Sequence, residues 1–271
     1  MADGSNEAFV AFERVQKSYD GENLVVKDLN LSLPKGEFLT MLGPSGSGKT
    51  TCLRAITGDL PFAGRIALGG QDIARLSPRE LAALRGVLPQ ASTLAFPFTV
   101  AEVVQIGLHR GTSGAQSERI RAALGRVDLG AYADRSYQEL SGGEQQRVQL
   151  ARVLAQVWEP VADGVPRWLF LDEPVSSLDI AHQLQVMRIA RDFASAGGGV
   201  VAVMHDLNLT AICADKVILL AAGACHAQGT PGDVMTSDIL SRAYGCVLHV
   251  GQIPPPGTPF VLPHLAALAA E

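Results

Sequence analysis

The chain contains a glycine-rich segment whose residue types and spacing suit the binding of a phosphate chain. Residues 43–51 have the sequence Gly-Pro-Ser-Gly-Ser-Gly-Lys-Thr-Thr and fit the pattern G-x-x-x-x-G-K-[ST]. Glycines let the main chain wrap closely around phosphates, so that backbone N–H groups point at their oxygens. Lys49 is expected to reach the β- and γ-phosphates of a nucleoside triphosphate, and Thr50 to place its hydroxyl on Mg²⁺. The predicted binding residues are Gly43, Pro44, Ser45, Gly46, Ser47, Gly48, Lys49, Thr50 and Thr51.

The segments on either side of this loop have the patterns of a strand and a helix. Glu37 to Leu42 is mostly apolar and predicts a buried strand, and Thr51 to Thr57 predicts a helix. This strand, loop and helix form the setting that the phosphate-binding pattern requires. The N–H groups at the start of the helix add its positive dipole end. A plain Gly/Ser turn is the alternative, and this context disfavours it.

Polar side chains follow two further apolar runs. Residues 168–171 (Trp-Leu-Phe-Leu) predict a buried strand that ends at Asp172 and Glu173, and 199–204 predict another that ends at His205. Parallel sheets bind ligands at the carboxyl ends of their strands. There Asp172 could hold Mg²⁺ and Glu173 could accept a proton from an attacking water. The alternatives are that Asp-Glu-Pro only ends a strand and that the histidine is structural.

Two further features allow more than one interpretation. In Leu-Ser-Gly-Gly-Glu-Gln-Gln-Arg, which runs from Leu140 to Arg147, Ser141 caps a helix, and Gly142 and Gly143 leave backbone N–H groups free, which predicts a second anion site. Tyr19 precedes a polar turn at residues 20–23. It could pack against the protein or stack on a nucleotide base, and its position alone leaves both open.

Composition excludes several classes of function. The chain has 271 residues, 47% of them apolar and 18% charged, with a formal charge of −5 and no basic run, so direct nucleic-acid binding is not expected. The four cysteines are widely spaced, which indicates neither a zinc site nor a disulfide framework and suits a reducing cytoplasm. We find no apolar run of the roughly 20 residues that a membrane-spanning helix needs.

The order of the patterns predicts an α/β fold. Residues 9–15 and 29–33 alternate like antiparallel strands ahead of the phosphate loop, and 100–156 are mostly helical. We expect 158–167 to be a loop. After a strand at 217–221, the tail contains Pro254, Pro255 and Pro256, which exclude a helix there, and we expect it to be extended.

Taken together, six elements of the chain resemble the motifs of ABC-type ATPases, in the order of that family. The resemblance covers nearly the whole chain. The elements are the phosphate loop 43–51, Gln90 at the Q-loop position, the signature 140–147, Asp172-Glu173-Pro174, the D-loop Ser176-Ser177-Leu178-Asp179, and the switch histidine His205. The resemblance implies a single ABC ATPase domain over 1–271: a P-loop (RecA-like) parallel-sheet core at 1–89 and 161–271, with an antiparallel β subdomain, and an inserted helical subdomain at 90–160.

The resemblance also assigns roles. It implies that two chains close head to tail around two ATP molecules, so that Ser141, Gly142 and Gly143 of one chain face the γ-phosphate held by the other. Tyr19 then stacks on adenine. Gln90 senses Mg²⁺ and the attacking water and links the site to a membrane partner. The catalytic set is Glu173, His205 and Gln90, with Mg²⁺ at Thr50, Gln90 and Asp172, and Asp179 at the dimer contact.

Within that family, the segments 87–92, 94–100 and 158–164 are similar to the ATPase subunits of bacterial heme importers. This implies a peripheral protein on the cytoplasmic face of the inner membrane, bound to two permease subunits and indirectly to a periplasmic substrate-binding protein. Import of ferric siderophores or cobalamin is the nearest alternative. A soluble ABC-type ATPase acting on DNA or ribosomes and a small-molecule phosphoryl-transfer enzyme are the others. The histidines outside the site (His109, His182, His226, His249 and His264) show no spacing for an iron site.

Overall fold

The structure is a computed structural model that describes residues 10–91, 94, 96–108 and 113–263. The expectations for His109, for His264 and for part of the loop at 91–100 therefore fall outside the described residues. The helices are α1 (Lys49–Ile56), α2 (Pro78–Leu84), α3 (Val100–Ile106), α4 (Ser113–Arg126), α5 (Gly142–Gln156), α6 (Ile180–Ser195), α7 (Leu207–Cys213), α8 (Pro231–Val234) and α9 (Ser237–Tyr244). The strands are β1 (Val10–Ser18), β2 (Leu24–Leu33), β3 (Phe38–Leu42), β4 (Ala63–Leu68), β5 (Gln71–Asp72), β6 (Arg85–Leu88), β7 (Val161–Ala162), β8 (Val165–Pro166), β9 (Trp168–Asp172), β10 (Gly199–Val203), β11 (Lys216–Ala221) and β12 (Ala224–Gly229).

A mostly parallel sheet forms the centre of the molecule. In the described part of the chain its strands run in the order β12, β11, β3, β10, β9, β6, and only β12 is antiparallel to its neighbour. Every residue of β3, β9 and β10 is buried, as expected of strands covered on both faces. Their carboxyl ends meet at one edge, where the phosphate loop, Asp172 and His205 follow. The predicted α/β fold with a parallel core is confirmed.

The two faces of this sheet pack into two apolar clusters. Along β9, Leu169 and Leu171 belong to the cluster beneath the helical region, whereas Trp168 and Phe170 belong to the cluster beneath a second sheet. That second sheet is antiparallel and has the strand order β2, β1, β4, β5 within the described residues. It is the predicted antiparallel subdomain, and its strand β2 packs against the side of the phosphate loop.

Helices α3, α4 and α5 pack together beside the β6 edge of the central sheet. Thr99 and Ser141 start α3 and α5 with capping boxes, in which each side chain accepts from the backbone N–H three residues on. The buried guanidinium of Arg147 donates to the carbonyl oxygen of Val127 over 2.8 Å, which ties α5 to the end of α4. These contacts fix where the first turn of α5 lies.

Two expectations about loops were wrong. The segment 158–167 contains the short antiparallel hairpin β7–β8. The tail is not extended from residue 222 onwards: Ala222 and Gly223 both have positive φ and turn the chain back into β12, and Thr230 caps α8. The extended tail begins only after α9, since residues 247–262 contain no helix or strand, in keeping with the prolines at 254–256.

None of the helices in the described part of the chain has both the length and the apolar character that crossing a bilayer requires.

Candidate active site

The phosphate loop joins β3 to α1 and depends on glycines at two close approaches. Gly43 has φ +143°, and a Cβ there would lie 2.1 Å from the carbonyl oxygen of Leu220. Gly48 has φ +98°, and a Cβ there would lie 2.7 Å from the carbonyl oxygen of Val25. Any side chain at either position would collide with rigid backbone. The helix after the loop begins at Lys49, two residues before the predicted start at Thr51.

Lys49 is held on the inner side of this loop. Its Nζ donates to the carbonyl oxygens of Gly43 and Pro44, over 2.8 and 2.9 Å. Burial lowers the pKa of the ammonium, and the nearby carboxylates of Glu173 and Asp172 raise it in part. Since the two closest partners are neutral, the charge is only partly compensated. A phosphate oxygen would supply the missing negative charge at this point.

Thr50 and Asp172 meet across the sheet edge. Thr50 Oγ1 donates to Asp172 Oδ1 over 3.1 Å, and Asp172 is 4% exposed. Burial raises the pKa of this carboxyl, and the hydrogen bond from Thr50 opposes the shift. A hydroxyl and a carboxylate are the hard oxygen ligands that Mg²⁺ prefers, so the two residues fit the predicted metal site chemically.

Glu173 and His205 form the opposite side of the site. His205 Nε2 lies 2.7 Å from Glu173 Oε1. Glu173 has φ +52°, in the left-handed region, which costs roughly 1–3 kcal/mol for a residue other than glycine. Its N–H donates to the carbonyl oxygen of Val203 over 3.1 Å, and its carbonyl accepts from Gln146 Nε2 over 3.0 Å. The strained backbone is therefore fixed from both sides.

Lys49, Thr50, Glu173 and His205 line a pocket of about 250 Å³, and Asp172 contacts Thr50 without being part of that lining. It lies at the carboxyl ends of β3, β9 and β10, which is where parallel sheets bind their ligands. The pocket combines the N–H groups that open α1, one ammonium, one carboxylate and one imidazole. Such a set can bind a polyphosphate and activate a water molecule beside it. The lining residues are Val25, Ser45, Gly46, Gly48, Lys49, Thr50, Thr51, Glu173 and His205.

Tyr19 stands beside the pocket rather than in the core. Its ring is 60% exposed, its hydroxyl lies 3.2 Å from Thr51 Oγ1, and the ammonium of Lys17 lies 5.2 Å from the ring centre. This exposure argues against the packing alternative. The ring is placed so that a base attached to phosphates in the loop could stack on it.

The structure does not bring the remaining predicted residues into the pocket. Gln90 is exposed and comes two residues after β6 ends. Ser141 caps α5 and exchanges hydrogen bonds with Glu144, and Asp179 caps α6 through the backbone N–H of His182. The pocket lining also leaves out Gly142 and Gly143.

Within one chain, the signature instead packs against the D-loop. At Gly143 the packing is so close that a Cβ would lie 3.0 Å from the carbonyl oxygen of Ser177.

Two residues at the site were not predicted from the sequence. Val25 lines the pocket from β2, and Gln146 holds the backbone of Glu173. Val25 follows the polar turn after Tyr19, and the packing of β2 against the phosphate loop brings it into the pocket. The partner of Gln146 is 27 residues further along the chain, and no local pattern connects the two.

Comparison with known proteins identifies the family of this chain. A family model described as ABC transporter matches residues 26–176. The chain is 59% identical over 246 residues to the hemin import ATP-binding protein HmuV of Roseobacter denitrificans, covering 91% of this chain and 94% of that protein. It is 52% identical over 245 residues to the protein of the same name from Rhizobium johnstonii, covering 89% of this chain and 93% of that protein.

Solved structures show the same fold. The structure of cbiO1 from Clostridium perfringens, part of the ABC transporter complex cbiONQ, matches with a TM-score of 0.73 at 24% identity, over 87% of this chain and 93% of that one. A dimeric ATP-binding cassette in a post-hydrolysis state, bound to ADP and Pi, matches with a TM-score of 0.72 at 28% identity, over 82% of this chain and 98% of that one. The chain therefore belongs to the ABC transporter family, as one of its ATP-binding, ATP-hydrolysing subunits.

Proposed function

We propose that this chain supplies the energy for a bacterial heme importer. The observation that carries the proposal is the high identity to proteins named for hemin import, 59% and 52% in the two comparisons above, over nearly the full length of both partners. The assignment of heme rests on these relatives alone. The chain's own residues account for the use of ATP.

In this proposal the pocket binds ATP with its phosphates in the loop. Lys49 and the N–H groups that open α1 bind the phosphate oxygens, and Tyr19 stacks on adenine. Thr50, Asp172 and Gln90 hold Mg²⁺, which offsets charge on the phosphates when bound. These ligands are supported by the 3.1 Å contact between Thr50 and Asp172 and by the place of Gln90 beyond the neighbouring strand.

Glu173 is the proposed general base. Its carboxylate lines the pocket, where it can accept a proton from the water that attacks the γ-phosphate. His205 holds that carboxylate over 2.7 Å and lies at the same wall, so it can also contact the γ-phosphate. Gln90 completes the catalytic set by orienting the water. The reaction releases ADP and inorganic phosphate.

A second copy of the chain completes each site in this proposal. Ser141, Gly142, Gly143 and Asp179 lie outside the pocket of their own chain, and the first three form the start of α5. A helix N-terminus is suited to contact a γ-phosphate. Two chains arranged head to tail would each supply this turn to the other. The dimeric relative bound to ADP and Pi supports such an arrangement. ATPase activity per chain should then rise with protein concentration and level off once dimers form.

The membrane partner is proposed to contact the region from Gln90 to Val100. Phe96 is 69% exposed there, and its ring meets that of Phe98 edge to face with 6.2 Å between centres. Aromatic side chains are enriched where proteins bind each other, and Phe96 is available for such a contact. We place the chain on the cytoplasmic face of the inner membrane, bound to two permease subunits and working indirectly with a periplasmic substrate-binding protein.

The division into a nucleotide-binding core at 1–89 and 161–271 and a helical subdomain at 90–160 is part of the same proposal. It assigns ATP binding to the core, and the signature and permease contacts to the subdomain.

An uptake experiment tests the substrate. A strain lacking this chain is supplied in turn with heme, a ferric siderophore and cobalamin, and is complemented with the intact gene or with Lys49→Ala. We expect loss of heme uptake alone, restored only by the intact gene. Loss of a different substrate would overturn the heme assignment and keep the importer. Normal uptake of all three would contradict the importer and favour a soluble ATPase.

A further inference from the structure

Gln146 makes a contact that the proposed mechanism does not use. It lies on the first turns of α5, and its Nε2 donates to the carbonyl oxygen of Glu173 over 3.0 Å. Its other amide atom, Oε1, is shielded from solvent and has no hydrogen-bond partner among the described residues. A half-satisfied buried amide costs stability. Among the described residues, the hydrogen bond to Glu173 is therefore the one that this side chain makes.

The carbonyl that Gln146 holds belongs to the most constrained backbone position of the site. Glu173 has φ +52°, and its N–H is bonded to the carbonyl oxygen of Val203 over 3.1 Å. Because these bonds fix the direction of the main chain, they also fix where the carboxylate points. That carboxylate ends 2.7 Å from His205 Nε2. The carbonyl of Glu173 also accepts from Ser176, from its N–H over 3.4 Å and its Oγ over 3.2 Å. The bond from Gln146 is the one of the three that ties the carbonyl to α5, so its loss would leave the strained backbone and the carboxylate less firmly oriented.

The same helix carries the residues proposed to face the partner's ATP. Gly143 precedes Gln146 by three residues, about one turn of α5, and its backbone packs closely on Ser177. A rigid first turn thus connects Ser141, Gly142 and Gly143 with the backbone of Glu173. A displacement of this turn moves both ends together.

We propose that Gln146 is a positioning residue that transmits contact between α5 and the partner's ATP to the catalytic carboxylate of its own chain. The inference rests on the function proposed above, because it needs Glu173 as the base and α5 at the dimer contact. Binding at one site then aligns Glu173 at the other, and the two sites hydrolyse ATP cooperatively.

The test compares two glutamines on one helix. Gln146→Met keeps the length of the side chain and removes the donor. Gln156→Met is the matched control, because Gln156 Nε2 also donates to backbone carbonyls, those of Ala82 and Arg85, each over 2.9 Å. Arg85 pairs with Trp168 at the amino end of β9, whereas the site lies at the carboxyl end of that strand. For Gln146→Met we expect kcat to fall about tenfold with the KM for ATP within about twofold, and the Hill coefficient for ATP to fall towards 1. Gln156→Met should leave all three unchanged.

Several outcomes would overturn the inference. If Gln146→Met lowers the melting temperature as Gln156→Met does and leaves kcat and the Hill coefficient unchanged, its role is structural. The pair Gln146→Met and Glu173→Gln should be non-additive, and independent effects would also contradict the link. If Glu173→Gln alone does not slow hydrolysis, the proposed function fails instead. Should Gln146→Met not fold, Gln146→Glu, which also lacks the donor, must show the same loss of kcat.

Discussion

His205 Nε2 lies 2.7 Å from Glu173 Oε1, and this contact joins the ends of two neighbouring parallel strands. The backbone of Glu173 has φ +52°, a costly left-handed conformation for a residue other than glycine. Strain of this kind persists where the surrounding structure fixes it, as the bonds from Gln146 and to Val203 do here. The geometry favours a carboxylate that is oriented before the nucleotide binds.

Removing the imidazole should therefore slow hydrolysis. His205→Ala is expected to lower kcat about 10²-fold, since Glu173 loses its orienting partner, while ATP binding changes little. Steady-state ATPase assays and equilibrium binding of a fluorescent ATP analogue measure the two quantities. His226→Ala, an exposed histidine on β12, is the control. Unchanged kcat in His205→Ala would refute the role of the pair.

The exposed ring of Tyr19 should contribute to affinity through its face. Tyr19→Ala is expected to raise the KM for ATP about tenfold, because stacking on a base is worth about 1–3 kcal/mol. Tyr19→Phe keeps the ring and loses only the 3.2 Å contact with Thr51, so its KM should stay close to that of the wild type. If Tyr19→Phe raised the KM as much as Tyr19→Ala does, the hydroxyl and not the ring would account for the affinity.

The close approach at Gly43 should make it intolerant of any side chain. A Cβ would lie 2.1 Å from the carbonyl oxygen of Leu220, so Gly43→Ala must displace the loop or β11. We expect a loss of about 2–4 kcal/mol in the free energy of unfolding. Gly46→Ala, at φ +75° with open space around it, should lose about 1 kcal/mol. Urea denaturation compares the two, and equal losses would mean that backbone conformation rather than contact decides.

The buried carboxylate of Asp172 should lower the free energy of unfolding, although hydrolysis requires it. Burial raises the pKa of this carboxyl in the folded protein above the ordinary 3.8. At pH values between the ordinary pKa and the raised one, the folded protein binds more protons than the unfolded chain, so stability falls as pH rises. Asp172→Asn keeps an acceptor for Thr50 and removes the charge. At pH 7 the variant should unfold with about 1 kcal/mol more free energy than the wild type, and should hydrolyse ATP poorly. The gain should vanish near pH 3.5, and a gain that is equal at both pH values would contradict this cause.

Most of the fold and the central part of the site could be predicted from the sequence. The strand ends at Asp172 and His205 and the loop at 43–51 were predictable because buried strands and phosphate loops have strong local patterns. The β11–β12 turn was missed because Ala222 takes a positive φ that its residue type does not announce. The hairpin at 161–166 has two-residue strands, too short for a periodic signal.

Contacts between distant segments were beyond sequence reasoning. The hydrogen bond from Gln146 to Glu173 and the place of Val25 in the pocket depend on how α5 and β2 pack against the central sheet. Residue type and spacing along the chain do not encode such packing. The helix-capping pattern at Ser141 predicted an anion site, but only the resemblance assigned it to the ATP of a second chain and Asp179 to the dimer contact. The structure of one chain leaves both residues outside its pocket.

The most direct test of the account follows heme uptake in a strain that lacks this chain and is complemented with the wild type or with Glu173→Gln. The substitution removes the proposed base and keeps the size of the side chain. We predict that Glu173→Gln accumulates to the wild-type level and binds ATP, yet supports no heme uptake. Heme uptake at the wild-type rate by Glu173→Gln would contradict the claim that hydrolysis at this site drives import.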